Sequence, residues 1–438
     1  MKNNIFTTSP NDWTFAQKAW FTIALIVVYR IGVTIPLPFV DAGVFEGAIK
    51  TSTAAGSLVT AMTMVGSSIA QMGVFALGVM PFITASIVMQ LMKVVFPKIK
   101  EMYEGDATKK IITQWTRYLA IVIAIIQGAG ILIGSERMLG VDVFTTKSWV
   151  AFVIALFAMV VGSVIVMRLG EEITLKGVSN GTSLLIFTSI LASLPTLMTQ
   201  SYISKSWIGV IIFSAILLAV LALVAYVEKS EYKVPVVYPK TSVGAGSTRN
   251  NLPIKVAIAG VLPVIFASSL MSLPLMASAI TQWEWVRWVE RYFTFGTGLY
   301  AAVFVLLTIA ATFFSVPLVF DPHQIATQIR ANGGTVDNKR PGTETEKFLA
   351  YVSQKMAGLD SVYLVLISLA TLYLFPLSGL AGGAFGATSI IILATVAVTL
   401  FAAIKAETST KNLKDYSFLK PEGAKLNEKK KRRIFSRK

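Results

Sequence analysis

The sequence predicts an all-α membrane protein whose helices cross the bilayer many times, and three observations carry this prediction. Hydrophobic residues make up 54% of the 438 residues and charged residues only 14%. The mean hydropathy of +0.67 is well above that of a soluble domain of this length. Long uncharged apolar stretches recur along the chain, and Lys and Arg are distributed very unevenly between the connections that separate them.

Ten segments are long and apolar enough to cross the roughly 30 Å of hydrocarbon in a bilayer. The first is longer than the core of a signal peptide and lacks a small-residue cleavage site after it, so we expect it to be retained. We number the segments as spans one to ten: residues 19–40, 72–96, 116–134, 149–169, 181–199, 207–227, 254–280, 298–320, 357–377 and 386–404.

The positive charges predict the orientation of these spans. An even number of crossings puts both ends of the chain on one side of the membrane. The termini and the connections on that side hold 31 Lys and Arg residues, whereas the other connections hold six. Because Lys and Arg accumulate on the cytoplasmic side, we expect both termini to be cytoplasmic.

Two of the cytoplasmic connections are long, residues 228–253 and residues 321–356. We interpret the first as a loop. The second contains "DPHQIATQIRANGG", in which Asp321 can cap a helix and Gly333 with Gly334 can end it. The pattern predicts a short helix that stands off the membrane.

The stretch "GSLVTAMTMVGSSIAQM", residues 56–72, fits neither a span nor an ordinary loop. It is uncharged and has apolar residues at helical spacing, but it is too short to cross a bilayer. We therefore predict a re-entrant helix on the external side. Irregular backbone at membrane depth is tolerated only inside protein or beside a wet cavity, so re-entry here implies a cavity.

The next stretch, "GVMPFITASIVMQLM", opens on a break and continues as an apolar helix. Gly78 and Pro81 both favour an irregular start. Val79 and Ile83 are four residues apart, which places them on one face of a helix, one turn from each other.

The composition excludes most enzyme chemistry. The chain has no Cys and one His, so disulfides, thiolate catalysis and multi-His metal sites are not expected. We find no nucleophile with a base and no phosphate-binding glycine loop, and we expect neither catalysis nor a cofactor. Acidic residues are almost absent from the spans, which argues against an ion-driven pump. An apolar bundle interior passes little water, so it suits a large substrate that fills the pore itself.

Six motifs, in order along the chain, resemble those of the SecY family, the channel subunits of the bacterial Sec protein translocase. The resemblance covers roughly residues 20–400. The motifs are "YRIGVTIPLPFVDAG", "FALGVMPFITASIVMQLM", "TRYLAIVIAIIQGAGI", "LGEEITLKGVSNGTSLLIF", "LPIKVAIAGVLPVIFASSL" and "KRPGTETEKF".

The resemblance implies a clamshell of two inverted five-helix halves around an hourglass pore, with a hinge between spans five and six and a re-entrant plug helix. The N-terminal half would comprise residues 1–205 and the C-terminal half residues 206–404, followed by a basic cytoplasmic tail over residues 405–438.

The resemblance also implies the function and its residues. Unfolded polypeptides would cross through an aliphatic pore ring, and their apolar segments would leave sideways into lipid between spans two and seven. The pore ring would be Val79, Ile83, Ile186, Ile265 and Ile392; the plug would include Leu58, Met62, Met64, Val65 and Ile69; the lateral gate would use Thr84, Gln127 and Ser269.

The partners that the resemblance implies are the SecE and SecG subunits, the SecA motor ATPase, the ribosome, signal peptides and unfolded preproteins, with SecDF and YidC as further candidates. The channel itself would be passive and would lie in the bacterial plasma membrane. Its binding loops for SecA and the ribosome would present Arg340, Lys339, Arg330, Lys347, Lys240 and Arg249.

Several alternatives stay open. The apolar ring residues also fit an ordinary bundle core, and the polar gate residues fit ordinary packing. Residues 228–253 are less basic than is usual in the family, and the tail departs from its pattern, which leaves room for an accessory SecY with few substrates. A secondary transporter and an insertase that never conducts secreted chains are the rival functions.

Overall fold

The computed structural model describes residues 15–41, 43, 72–96, 106–139, 144, 148–238, 248–280, 297–336, 339–379 and 386–418. Its elements, in chain order, are α1 (Phe15–Thr34), α2 (Met80–Val95), α3 (Asp106–Leu139), α4 (Trp149–Lys176), α5 (Gly181–Glu228), β1 (Glu231–Tyr238), β2 (Thr248–Lys255), α6 (Leu262–Ile280), α7 (Gly298–Val319), α8 (Pro322–Ala331), β3 (Thr335–Val336), α9 (Thr343–Leu374), a 3-10 turn (Phe375–Ser378) and α10 (Ala387–Phe418).

The helices lie within or across the predicted spans, but span seven starts later than predicted: residues 254–261 are the end of β2 and turns, so this span begins with α6 at Leu262. Within the described residues, seven helical segments are long and apolar enough to cross a membrane, and two shorter apolar helices, Met80–Lys93 and Leu262–Met271, lie within predicted spans two and seven. The element α5 contains both span five and span six, which are two helices separated by a kink where the backbone of Lys205 and Ser206 leaves the helical region. Ser206 has a φ of 56° and a ψ of −154°, a region that only Gly adopts readily.

The outer faces of these helices are apolar. Trp20, Phe157, Leu218 and Leu306 are among the large side chains that project from them. In water such a surface would promote aggregation, whereas lipid tails solvate it well. The largest group of buried side chains, which we call the central cluster, is contributed by α1, α2, α4, α5, α6, α9 and α10 together with Phe75 and Val79.

Span two begins later than predicted. Residues 72–79, which we call the lead-in, are a series of turns, and the helix starts at Met80 with Pro81 in its first turn. The prediction of helix from residue 72 was therefore wrong, whereas the predicted break is confirmed. Gly78 makes the break possible because its φ of 54° lies in the left-handed region.

The loop predicted over residues 228–253 was also wrong in part, because β1 and β2 form an antiparallel hairpin there. Val234 lies opposite Leu252, and Val236 lies opposite Asn250 on one side and Val336 of β3 on the other. The strands join the two long connections into one sheet, which the sequence pattern did not reveal.

The short helix predicted after Asp321 is confirmed as α8. The Asp321 carboxylate accepts hydrogen bonds from the backbone N–H groups of His323 and Gln324, and Gly333 follows the helix with a φ of 70°. The helix packs on the sheet; we call β1, β2, β3 and α8 together the sheet layer. Its core also takes in the start of α9 and contains Val234, Val236, Ile254, Ala326, Ile329, Val336, Leu349 and Val352.

The lead-in passes directly against α4. A Cβ atom at Gly162 would collide with the carbonyl oxygen of Val74. The next residue, Ser163, donates a hydrogen bond of 3.4 Å to the carbonyl oxygen of Gly78. The absence of a side chain at Gly162 therefore allows the two backbones to approach each other.

Replacing Gly162 with Ala should lower the free energy of unfolding by roughly 1–3 kcal/mol, the usual cost of overpacking a close contact. The matched control is Gly358→Ala in α9, where an added Cβ meets no atom within 4 Å. Thermal unfolding in nanodiscs measures both variants. Equal midpoints for the two variants would contradict the close approach.

Candidate functional site

Four of the five predicted ring residues belong to the central cluster, and the fifth packs against it. Four are almost fully buried, with exposed fractions of 3% for Val79, 4% for Ile186, 7% for Ile265 and 3% for Ile392. Ile83 is partly buried and packs against the same cluster. The residues come from α5, α6, α10 and the start of α2, which are far apart in sequence.

The start of α2 positions two of these residues. Val79 precedes the helix, and its carbonyl oxygen accepts a hydrogen bond of 3.1 Å from the N–H of Ile83. This hydrogen bond closes the first turn of α2. The two side chains are therefore one turn apart, as their spacing predicted.

The start of α5 positions Ile186. The Asn180 side chain caps this helix by accepting a hydrogen bond of 3.3 Å from the N–H of Ser183. Gly181 lies so close to α4 that a Cβ would overlap the carbonyl oxygen of Gly170. The first turn of α5 is thus held by a cap and by backbone contact.

A hydrogen bond between α1 and α5 lies one turn beyond Ile186. The Tyr29 hydroxyl and Ser189 Oγ are 2.6 Å apart and buried. Ser189 Oγ donates to the carbonyl oxygen of Leu185 at 3.1 Å, so the Tyr29 hydroxyl is the donor to Ser189. The ring of Tyr29 also stacks on Phe75 of the lead-in, with centroids 6.2 Å apart. Tyr29 therefore connects the lead-in, which carries Val79, with α5, which carries Ile186.

The three helices that carry the predicted gate residues pack on one another, since α3 contacts both α2 and α6, and α2 contacts α6. Gln127 is buried and Ser269 is partly buried. Thr84 donates its hydroxyl hydrogen to the carbonyl oxygen of Met80 in its own helix, at 3.1 Å. The Thr84 hydroxyl hydrogen is therefore donated within its own helix and not to a neighbouring helix.

Four of the predicted partner-binding residues, Arg340, Lys339, Arg330 and Lys347, are exposed. Arg340 lies just before α9, where Gly342 has a φ of 110°. Its backbone N–H donates to Glu344 Oε2 at 3.1 Å, and its carbonyl oxygen accepts from Thr345 Oγ1 at 2.9 Å. The backbone is thus held while the guanidinium faces solvent. Arg249 lies in β2, opposite Val237.

Some predicted residues fall outside the part of the chain that the structure describes. These are Lys240 and the plug residues Leu58, Met62, Met64, Val65 and Ile69. Their roles stay predictions.

Sequence reasoning missed two charged sites. Arg117 of α3 forms a two-pronged ion pair with Glu171 of α4, with Nε–Oε1 and Nη2–Oε2 distances of 2.7 and 2.9 Å. Asp360 of α9 is fully buried, although we expected almost no acidic residues in the spans. An unusual Asp at the end of an apolar segment was the available signal for the second site; nothing in the sequence pairs Arg117 with Glu171.

Comparison with known families decides the identity. The family model described as SecY matches residues 73–401. The chain belongs to the SecY family. Among its relatives, the protein translocase subunit SecY of Streptomyces galbus is 34% identical over 91% of this chain and 96% of its own length. That of Corynebacterium glutamicum is 35% identical over 92% of this chain and 97% of its own length.

Solved structures confirm the fold of this SecY-family chain. A SecY channel, described for the plug domain that stabilises its closed state, superposes with a TM-score of 0.63 at 17% identity, covering 90% of this chain and 93% of the other. Sec61 from the canine ribosome-channel complex gives a TM-score of 0.60 at 16% identity, with the same coverage. The predicted SecY-like fold is therefore confirmed.

Replacing Tyr29 with Phe should lower the free energy of unfolding by about 1 kcal/mol, because the hydrogen bond that the buried Tyr29 hydroxyl donates to Ser189 is lost while the ring stays in place. Tyr118→Phe, at a residue that is 69% exposed, is the control for loss of a Tyr hydroxyl. Thermal unfolding of the SecY-family chain in nanodiscs compares the two. An unchanged midpoint for Tyr29→Phe would show that the bond does not hold the helices together.

Proposed function

We propose that this SecY-family chain is the protein-conducting channel of a bacterial Sec translocase, and that unfolded polypeptides cross the plasma membrane through its central cluster. The observation that carries the proposal is that one apolar cluster contains or packs against all five residues, Val79, Ile83, Ile186, Ile265 and Ile392. Branched aliphatic side chains make no hydrogen-bonding demand on a passing chain and disfavour wetting. They are therefore suited to close around a polypeptide of any sequence.

Lateral release is the second part of the proposal. Span two and span seven would separate to let an apolar segment of the substrate enter lipid. The packing of α2 and α6 on α3 supports this assignment. Since the Thr84 hydroxyl bonds within its own helix, we infer that apolar packing contributes most of the closed-state contact there.

The energy for transport would come from partners. We infer that the exposed Arg340, with Lys339, Arg330 and Lys347, contacts the SecA motor ATPase or the ribosome, whose acidic surfaces and RNA attract positive charge. Two neighbouring solved structures are described as ribosome-bound channels, the canine Sec61 complex and the yeast Ssh1 complex. SecE and SecG are the proposed subunits of the complex, and the excess of Lys and Arg on one side supports cytoplasmic termini.

Site-specific photocrosslinking tests the channel. A photoreactive side chain placed at Val79 or Ile186 should form adducts with a stalled secretory precursor in the reconstituted translocase. The matched control is Leu218, an α5 residue that is 66% exposed on the outer face, where we expect no adduct. The comparison is the yield of precursor adduct at each position.

The result would also separate the rival functions. A transporter or an assembly scaffold would give no adduct at Val79 or Ile186. Equal yields at the cluster and at Leu218 would show that the precursor contacts the protein from outside, which would overturn the proposal.

A further inference from the structure

Asp360 is an unexpected carboxylate inside the apolar part of the fold. Its residue is fully buried, and its neighbours along α9, Ala357 and Leu364, are buried and apolar. A buried carboxylate is costly unless it is hydrogen-bonded. What Asp360 contacts therefore indicates why it is there.

Asp360 binds the backbone that leads into span seven. Its Oδ2 accepts a hydrogen bond of 3.1 Å from the N–H of Ala259, a residue 101 positions away in the chain. Ala259 precedes the helix α6, so its N–H lacks a helical acceptor, and Gly260 follows with a φ of 59°. The Asp360 side chain thus supplies the hydrogen bond at the turn where span seven begins.

Asp360 also lies close to the end of span six, and an ion pair there connects span six with the hairpin. Glu228, the last residue of α5, is buried and lies near enough to Asp360 for the two carboxylates to repel each other. Lys255, the last residue of β2, offsets this charge with an Nζ–Oε1 distance of 3.4 Å to Glu228. Among the described residues, Asp360 Oδ1 and the Tyr363 hydroxyl have no hydrogen-bond partner.

The helix α9 connects Asp360 to the sheet layer. Leu349 and Val352, near the start of α9, lie in the core of that layer with Val234 and Ile329. Leu349 is about 16 Å along the helix from Asp360. Because a packed helix moves as a unit, a force on the sheet layer reaches Asp360 and, through it, the start of span seven.

Span seven carries both Ile265 of the central cluster and Ser269 of the proposed gate. Ile265 is six residues from Ala259, and its N–H bonds to the carbonyl oxygen of Val261 at 3.2 Å. A shift at Ala259 therefore displaces the helix that lines both sites.

We propose that Asp360 is a positioning residue that couples the sheet layer to span seven, so that engagement of the sheet layer by a partner moves the gate helix. This inference rests on the proposed channel function, because a gate helix has a role only in a channel. The coupling itself can be measured in the protein without partners or substrate. The hydrogen-bond acceptor at Asp360 Oδ2 is the element that transmits it.

The experiment compares four variants of the full chain in nanodiscs by two measurements. Asp360→Leu and Asp360→Ala remove the acceptor, the second without added bulk, whereas Asp360→Asn keeps an acceptor oxygen. Ser361→Ala is the matched control, because the Ser361 hydroxyl donates to the carbonyl oxygen of Gly358 in its own helix. Hydrogen exchange reports on the Ala259 amide, and pulsed dipolar spectroscopy reports the distance between spin labels on Thr84→Cys and Ser269→Cys, in a chain that has no native Cys.

We expect Asp360→Leu and Asp360→Ala to accelerate exchange at Ala259 roughly tenfold or more, because a buried hydrogen bond is lost, and to add a longer-distance population between spans two and seven. Asp360→Asn and Ser361→Ala should resemble the unchanged chain in both measurements. Faster exchange at Ala259 without a change in the label distance would overturn the coupling, and so would an Asn variant that behaves like Leu. Where one removal variant does not fold, the other decides.

Neither measurement requires transport. A failure of precursor crosslinking at Val79 would therefore refute the channel function and leave this result standing. Conversely, normal crosslinking with unchanged label distances in Asp360→Ala would refute the coupling alone.

Discussion

The hydrocarbon of a membrane cannot hydrogen-bond a peptide group, and the fold depends on how this chain satisfies irregular backbone at membrane depth. The lead-in is the clearest instance. The N–H of Val74 bonds to the carbonyl oxygen of Ile35 at 2.9 Å, and the N–H of Leu37 bonds to that of Met72 at 3.0 Å. Turns within the segment and the Ser163 hydroxyl satisfy further groups. Protein thus replaces water around a break that a lipid-facing helix could not contain.

This satisfied break determines where α2 begins and therefore where Val79 lies. Because the lead-in is held by α1 and α4, the helix α2 starts at a fixed place and puts Val79 in the central cluster. Tyr29 links the lead-in to α5 through Phe75 and Ser189. Tyr29 therefore connects two of the segments that carry the cluster, and the cluster acquires a defined geometry although its own apolar contacts are non-directional.

Elsewhere the polar side chains mostly bond within their own helices. Thr188 donates to the carbonyl oxygen of Leu184, Thr312 to that of Thr308, and Ser368 to that of Leu364. Such bonds satisfy a hydroxyl without tying two helices together. The bonds that do cross, such as Arg117 to Glu171 and Asp360 to Ala259, are few among the described residues and lie at particular junctions. A bundle built in this way permits motion between helices except where a specific bond prevents it.

The sequence predicted what depends on local pattern. Hydropathy located the spans, the Asp321 cap and the Gly333 stop located α8, and Gly78 with Pro81 located the break before span two. It did not predict the hairpin, because "EYKVPVVY" and "TRNNLPIK" contain Pro and Asn that resemble loop residues, and their pairing is decided by packing against α8 and α9. Long-range bonds such as Tyr29 to Ser189 and Asp360 to Ala259 join residues whose separation leaves no periodic signal. The candidate site was predicted mainly because the motifs of the chain resemble those of a known family.

The central claim is that the aliphatic cluster closes around a polypeptide in transit. Ion current through single reconstituted channels that hold a stalled precursor tests it most directly, because the precursor then occupies the pore. With the native side chains we expect almost no current, and with Val79 and Ile186 both replaced by Gly we expect the current to rise severalfold, since ions can pass beside the chain once the branched side chains are gone. Identical currents in the two proteins would contradict the account.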